Sequence, residues 1–320
     1  MEEVRLTVTQ PCADILEFLA NSLPALPLNL LRRLVAHGGV EVDGRRVDHT
    51  FVPQPGQAVV LSLPETPIVR YSPQKMDIEV LFENADVLAI NKPAGLGVIP
   101  DPVTFDAPLL NGLLYYVRNE SPWRCERVHV VHRLDKETSG ALVVARNVRA
   151  ARHLSDRFQR REVVKHYLAV VQGEVAGEEG EVDLPIAQGR RGRMRLRGRR
   201  GRPAFSRWRV LERFRAFTLV EVQPLTGRQH QVRLHLAGIG HPLAVDRLYG
   251  GSEALFLSRV KPGYRPKRDR PEPPLMARLT LHALRLEVDL PDGERLAVEA
   301  PLPRDFERLL ATLRRYAPRR

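Results

Sequence analysis

Two short segments hold most of the side chains capable of chemistry. The first, His132-Arg133-Leu134-Asp135-Lys136-Glu137-Thr138-Ser139-Gly140, sets a histidine, an arginine, a carboxylate and two hydroxyl residues between the apolar stretches 128–131 and 141–145. Polar density of that kind belongs on a loop held by rigid strands, where catalytic groups are usually displayed. By composition alone, a turn or capping role for Asp135 and Thr138 accounts for it equally well. The second segment, 226–235, reads as a helix capped by Thr226, running to about Ala237 and stopped by Gly238. On such a helix Gln229 and Arg233 share one face, and Val232 and Leu236 share the apolar one. No metal chemistry is indicated, because the spacings of His129, His132, His230, His235 and His241 match no zinc-ligand helix. Gly95 and Gly97 form a glycine-rich turn with no Gly-Lys-Ser/Thr pair after it, which argues against a nucleotide phosphate loop.

The elements that must position these segments follow from periodicity. Residues 12–21 and 29–37 have helical apolar spacing, with Asn29 as an N-cap and Gly38-Gly39 as the stop. A turn at Asp43-Gly44 and an alternating strand at 58–63 complete a small α+β module over residues 1–65. Residues 66–76 read as a proline-containing linker. From 77 to 320 strands at 78–82, 87–90, 142–145, 163–171, 208–214, 217–222, 279–290 and 294–298 alternate with helices at 109–118, 148–159 and 305–316. The fold class is α+β, with a central mixed, mainly antiparallel sheet flanked by helices and loops.

Composition narrows the partners. The 320 residues carry 50 Lys and Arg against 38 Asp and Glu, a net charge of +12, and 43% apolar residues, enough for a packed core. Residues 1–65 hold five basic and eight acidic side chains, net −3; the remainder holds 45 and 30, net +15. A polyanion is therefore drawn to the second part. Within it, residues 188–202 contain eight arginines and no acid, which suits a basic hairpin tip lying against phosphates. There is no long uncharged apolar run, and Met1-Glu2-Glu3-Val4-Arg5 lacks the basic-then-apolar order of a secretory signal, so a cytoplasmic protein without membrane association is expected. Cys12 and Cys125 are too few for a disulfide framework or thiolate cage.

The segment 132–140 resembles the signature loop of the RluA family of pseudouridine synthases. Further blocks of that family follow in order: 91–100, Lys165-His166-Tyr167, 226–235, Gly240-His241-Pro242 with Asp246 and Tyr249-Gly250, and 278–283. Residues 1–62 are similar, more weakly, to the alpha-L type RNA-binding module, through Leu31-Arg32-Arg33, the 39–44 turn and Gly56.

The resemblance implies a pseudouridine synthase fold and isomerisation of a uridine in RNA. The base leaves its sugar, turns, and rebonds through carbon 5, with no cofactor. Large-subunit ribosomal RNA is the implied substrate, a transfer RNA the alternative, and the protein is expected to be a monomer. Asp135 takes the role of catalytic carboxylate, since such a group can trap or stabilise an electron-poor sugar carbon. By the same likeness Arg233 pairs with it, as an opposite charge nearby favours the ionised form. Tyr167 stacks on the base, and Arg133 fills the space left by the flipped nucleotide. His132, Thr138, Asn91, Lys92 and Arg228 are implied RNA contacts with Arg190, Arg191 and Arg193 of the basic tract, and Leu243 an apolar wall. The competing class is a non-catalytic RNA-binding or ribosome-assembly protein; a glycoside hydrolase lacks an evident second carboxylate.

Overall fold

The computed structural model describes residues 2–23, 28–63, 73–98, 108–125, 128–189, 193–196, 201–250, 252–266 and 270–319. The chain forms two compact units, 1–70 and 71–320.

In the first unit the helices are Ile15–Ser22 and Leu28–Ala36. Asp14 caps the first by accepting the Glu17 N–H at 2.7 Å. The second begins at Leu28, so Asn29 lies inside it and does not precede it as expected. Strands Val40–Val42 and Arg45–Arg46 join through Asp43 and Gly44, both at positive φ, a geometry that matches the twist of a two-residue hairpin. Ala58–Leu63 lies between Val40–Val42 and a strand the sequence reading did not identify, Glu2–Thr7. Ile15, Leu19, Leu31, Val40, Val59 and Leu61 form its core.

The second unit is built on a ten-stranded sheet. Its path runs through Glu179–Asp183, Phe205–Phe214, Phe217–Pro224, Val164–Gln172, Leu281–Asp289, Ser139–Ala145, Val87–Lys92 and Val80–Glu83. Arg295–Glu299 pairs with Leu281–Asp289, and His129–Val130 with Ser139–Ala145. Among the described residues the only parallel pairing joins Leu281–Asp289 to Ser139–Ala145; the rest are antiparallel. Ser139–Ala145 is buried along its whole length because helices cover both faces. Leu142 and Val144 face the helix Pro108–Asn119, while Ala141, Val143 and Ala145 face Val148–Arg160. Asn147 caps the latter, accepting the Ala150 N–H. The last helix, Arg304–Tyr316, buries Phe306, Leu309, Leu310 and Leu313 against Leu168, Val170 and Phe217.

Of the 188–202 tract, Gln188 and Met194–Leu196 lie in an antiparallel pairing of Ile186–Gln188 with Met194–Leu196. Arg190, Arg191, Arg197, Arg199 and Arg200 of the tract lie outside the described residues. No helix of the described residues is long and apolar enough to cross a membrane.

A second sequence expectation needs correction. The helix near 226–237 starts only at Gln231, after His230 adopts a left-handed conformation with φ 56°. Thr226 does not cap it: its hydroxyl accepts the Phe205 N–H at 3.0 Å and donates to Gln231 Oε1 at 2.7 Å, tying the preceding loop to a strand. Gln229 therefore lies ahead of the helix and shares no helical face with Arg233.

Candidate active site

The loop 131–138 hangs between two adjacent antiparallel strands, His129–Val130 and Ser139–Ala145. Its C-terminal root is fixed twice. Gly140 has φ +117°, and a Cβ there would lie 2.1 Å from the Ala283 carbonyl oxygen, so only glycine permits this approach of the two backbones. Next to it, His282 Nε2 donates to the Ala300 carbonyl at 3.1 Å, leaving Nδ1 to accept the Ser139 hydroxyl at 2.9 Å. Within the loop, a turn closes from Thr138 N–H to the Asp135 carbonyl.

The turn presents the Asp135 carboxylate to Arg233, whose Nη1 donates to Oδ2 at 3.0 Å. The same guanidinium clasps Asp246 through Nε and Nη2, each at 2.8 Å. This two-point fork fixes the plane of the guanidinium. Asp246 also accepts the N–H groups of Leu248 and Tyr249. Burial alone would raise the Asp246 pKa, yet the bonds from Arg233 hold it below the usual carboxylate range. Burial likewise opposes the charge on Arg233, but Asp246 and Asp135 outweigh it and raise its pKa. The ring of Tyr249 lies 5.0 Å from the Arg233 Cζ, and its hydroxyl is 2.8 Å from His230 Nδ1. His230 Nε2 stands 3.7 Å from Asp135 Oδ1. Burial lowers the His230 pKa against the pull of Asp135.

Asp135 and Arg233 line a cavity of about 730 Å³. Tyr167 forms another wall, and burial together with the charge of Asp135 raises its pKa, keeping the hydroxyl protonated. Leu281 and Val163 supply apolar lining, Arg133 is exposed at the edge, and Arg161, Arg202 and Arg228 approach from another side. The arrangement can hold a flat ring beside a fixed carboxylate, with cations set around the opening. Among the described residues no three His, Cys, Asp or Glu side chains converge to hold a metal ion.

The RNA pseudouridylate synthase family profile matches residues 86–238. An uncharacterized RNA pseudouridine synthase of Bacillus subtilis (strain 168) is 34% identical over 320 residues, covering 98% of this chain and 99% of that protein. A ribosomal large subunit pseudouridine synthase D of Pseudomonas aeruginosa is 37% identical over 284 residues, covering 88% of this chain and 85% of that protein. The solved structure of human RNA pseudouridylate synthase domain containing 4 aligns with a TM-score of 0.56 at 28% identity, over 74% of this chain and 93% of that one. The chain belongs to the RluA family of RNA pseudouridine synthases. It is therefore an isomerase acting on uridine in RNA, and the non-catalytic alternative falls away.

Several residues that the sequence assigned to RNA in this synthase turn out to be occupied by the protein itself. His132 lines the cavity, but its Nε2 accepts the Val143 N–H at 3.0 Å and its ring stacks on Phe158 at 4.6 Å. Burial, assisted by the charge of Lys165, lowers its pKa to about 3, so it is a neutral splint for the loop. Lys92 is fully buried, with Nζ donating to the carbonyls of Pro93, Leu96 and Lys136. It braces the 131–138 loop from behind and cannot reach a phosphate. Burial brings its pKa down to about 7. Asn91 donates to Glu79 at 2.9 Å and to the Pro301 carbonyl. Leu243 is buried beside Val171 and Val220 and lines no part of the cavity, where Leu281 stands instead.

Thr138 does line the cavity, and its buried hydroxyl has no hydrogen-bond partner among the described residues. Arg228 reaches the cavity with its Nε bound to the Pro203 carbonyl, whereas Arg193 is exposed on the hairpin away from it. The sequence reading assigned no catalytic part to Asp246, His230, Tyr249, Lys165 or Leu281. Their signal was the presence of all five within the family blocks, but nothing in linear order shows which of them face Asp135.

Proposed function

We propose that the synthase modifies a uridine of large-subunit ribosomal RNA and that Asp135 is the carboxylate acting on the sugar carbon. The observation that carries this reading is the 3.0 Å bond from Arg233 to one oxygen of Asp135 inside a cavity that Tyr167 also lines. At about 730 Å³ the cavity lies within the roughly 300–1,000 Å³ of pockets that enclose small ligands. A uridine stacked in a helix is out of reach, so the target nucleotide flips in, at a cost of a few kcal/mol. Arg133 occupies the space it leaves, since a planar guanidinium stacks where a base was. With its hydroxyl held protonated, Tyr167 acts by stacking on the uracil and not as a phenolate base. Asp135 then traps the sugar carbon, or assists its passage through a glycal-like species, while the base turns and bonds through carbon 5. Thr138 and Arg228 meet the nucleotide and its phosphates, joined by Arg190, Arg191 and Arg193 of the basic hairpin.

The choice of ribosomal RNA rests on the names of relatives such as the Pseudomonas aeruginosa protein. The module at 1–65, joined by the linker 66–76 to a catalytic domain at 77–320, orients the RNA weakly because its own net charge is −3. The synthase works as a monomer in the cytoplasm, without a cofactor.

Release of tritium from RNA labelled at uridine carbon 5 tests the chemistry. Intact protein is expected to release it from large-subunit ribosomal RNA, and Asp135→Ala to release none. Equal release by both removes Asp135 from the chemistry. Release from transfer RNA alone overturns the choice of substrate.

A further inference from the structure

The reaction has a charge problem that Asp135 does not solve. When the bond between uracil N1 and the sugar carbon breaks, its electron pair stays with the base, spread over N1 and the two exocyclic oxygens. The sugar carbon is taken up by Asp135, or loses a neighbouring proton on the glycal route. Either way the base departs as an anion. At that carbon the protein supplies Asp135, and the one guanidinium that holds it, Arg233, is shared with a second, buried carboxylate, Asp246.

We propose that Lys165 is a catalytic residue: its ammonium donates a hydrogen bond to an exocyclic oxygen of the uracil and balances the charge of the departing base. The inference rests on the reading of this cavity as the uridine site. Lys165 and Tyr167 are two apart on the strand Val164–Gln172, so both side chains emerge on the same face, about 7 Å apart along the strand. Both line the cavity, while His166 between them turns away toward Glu221. A pyrimidine stacked on Tyr167 thus has its edge beside Lys165.

The other cations of the cavity are differently committed. Arg233 is held by its two carboxylates, and Arg133, Arg161 and Arg202 are exposed where a phosphate chain would pass. Lys165 is half-buried, and among the described residues its ammonium has no hydrogen bond or ion pair. Burial alone pulls its pKa down to about 8, so it remains mostly protonated at neutral pH. An ammonium partly withdrawn from water without a partner is costly. A partner that becomes negative only during the reaction accounts for keeping it there, because such an interaction is strongest in the transition state.

The titratable and charged groups sharing its cavity are His132 from the loop, neutral at working pH, Tyr167 from its own strand, Asp135, and His230 and Arg233 on and beside the helix Gln231–Gly238. Arg133, Arg161, Arg202 and Arg228 complete the set at the opening.

Single-turnover glycosidic cleavage at saturating RNA tests the proposal. Lys165→Met is expected to lower the rate about 10²-fold, the loss typical of one donor to a developing anion, with RNA affinity unchanged. In RNA carrying 5-fluorouridine at the target, whose ring stabilises its own anion, that deficit should shrink at least several-fold. The intact protein should lose rate as pH rises through about 8, and Lys165→Arg, which stays protonated, should extend the plateau upward. The pH comparison serves even where the Met variant folds poorly. An equal deficit on both substrates, identical upper limbs for the intact and Arg proteins, or a loss confined to RNA affinity would each overturn the proposal. Asp135→Ala separates the two readings: if it stays active, the assignment of the site fails, whatever Lys165 does.

Discussion

Two buried arginines of the catalytic unit meet carboxylates in opposite ways. Arg146 donates Nη1 to Glu83 at 3.1 Å and Nη2 to the Ser121 hydroxyl at 2.6 Å, and Glu83 also accepts from Tyr116 and Ser121. Both oxygens of Glu83 are used within the protein. Arg233 spends two donors on Asp246 and one on Asp135, whose other oxygen faces His230 only at 3.7 Å beside open space. A carboxylate saturated by its neighbours is a brace; one held at a single oxygen beside a cavity retains lone pairs for a substrate. The contrast distinguishes structure from chemistry where residue type alone does not.

Substitutions at the two sites should separate accordingly. Asp135→Asn is expected to lower turnover by on the order of 10³-fold or more, with little change in melting temperature, as tritium release and thermal unfolding would show. Normal turnover would place the chemistry elsewhere. Glu83→Gln should do the reverse, costing about 3 kcal/mol of stability by leaving Arg146 buried and uncompensated. Its rate at saturating RNA should stay within about twofold, and a large loss of rate with stability intact would break the comparison.

Lys92 sharpens it, as a buried cation held by carbonyls alone. Its folded pKa of about 7 lies below the roughly 10.4 of an unfolded lysine, so the unfolded chain binds more protons between those values. Stability should therefore rise with pH above about 7, by up to about 1.4 kcal/mol per unit from this group. The effect should vanish in Lys92→Met. Denaturant titrations from pH 7 to 9 on both proteins would detect it, and parallel curves would refute it. The smallest effect belongs to the cavity opening: Arg228→Gln should flatten the dependence of log affinity on log salt by about 0.7–0.9, one phosphate's worth.

Much of this was legible in sequence because the central strand leaves little choice. An apolar run from Ala141 to Ala145, buried on both faces, cannot be anything exposed, and it fixes the polar segment before it as a loop. The Asp135–Arg233 pairing was reached through family likeness and not from spacing, since the two are 98 residues apart. What was misread are polar residues whose types suit two tasks. Thr226 can cap a helix or bridge a strand, and here it bridges; Lys92 and Asn91 can meet phosphate or bind backbone, and here the protein uses them. The strand Glu2–Thr7 escaped notice because its charged first residues resemble a solvated end, while Val4 and Leu6 pack on the core.

The pairing of Gly140 with Ala283, and of Ser139 with His282 across 143 residues of sequence, has a consequence for biosynthesis. The root of the 131–138 loop is secured only after nearly nine tenths of the polypeptide has been made and has folded back across it. A half-made chain carries Asp135 but lacks the strand that seats its loop, so closing this pocket depends on contacts of long sequence separation, the kind that form slowly.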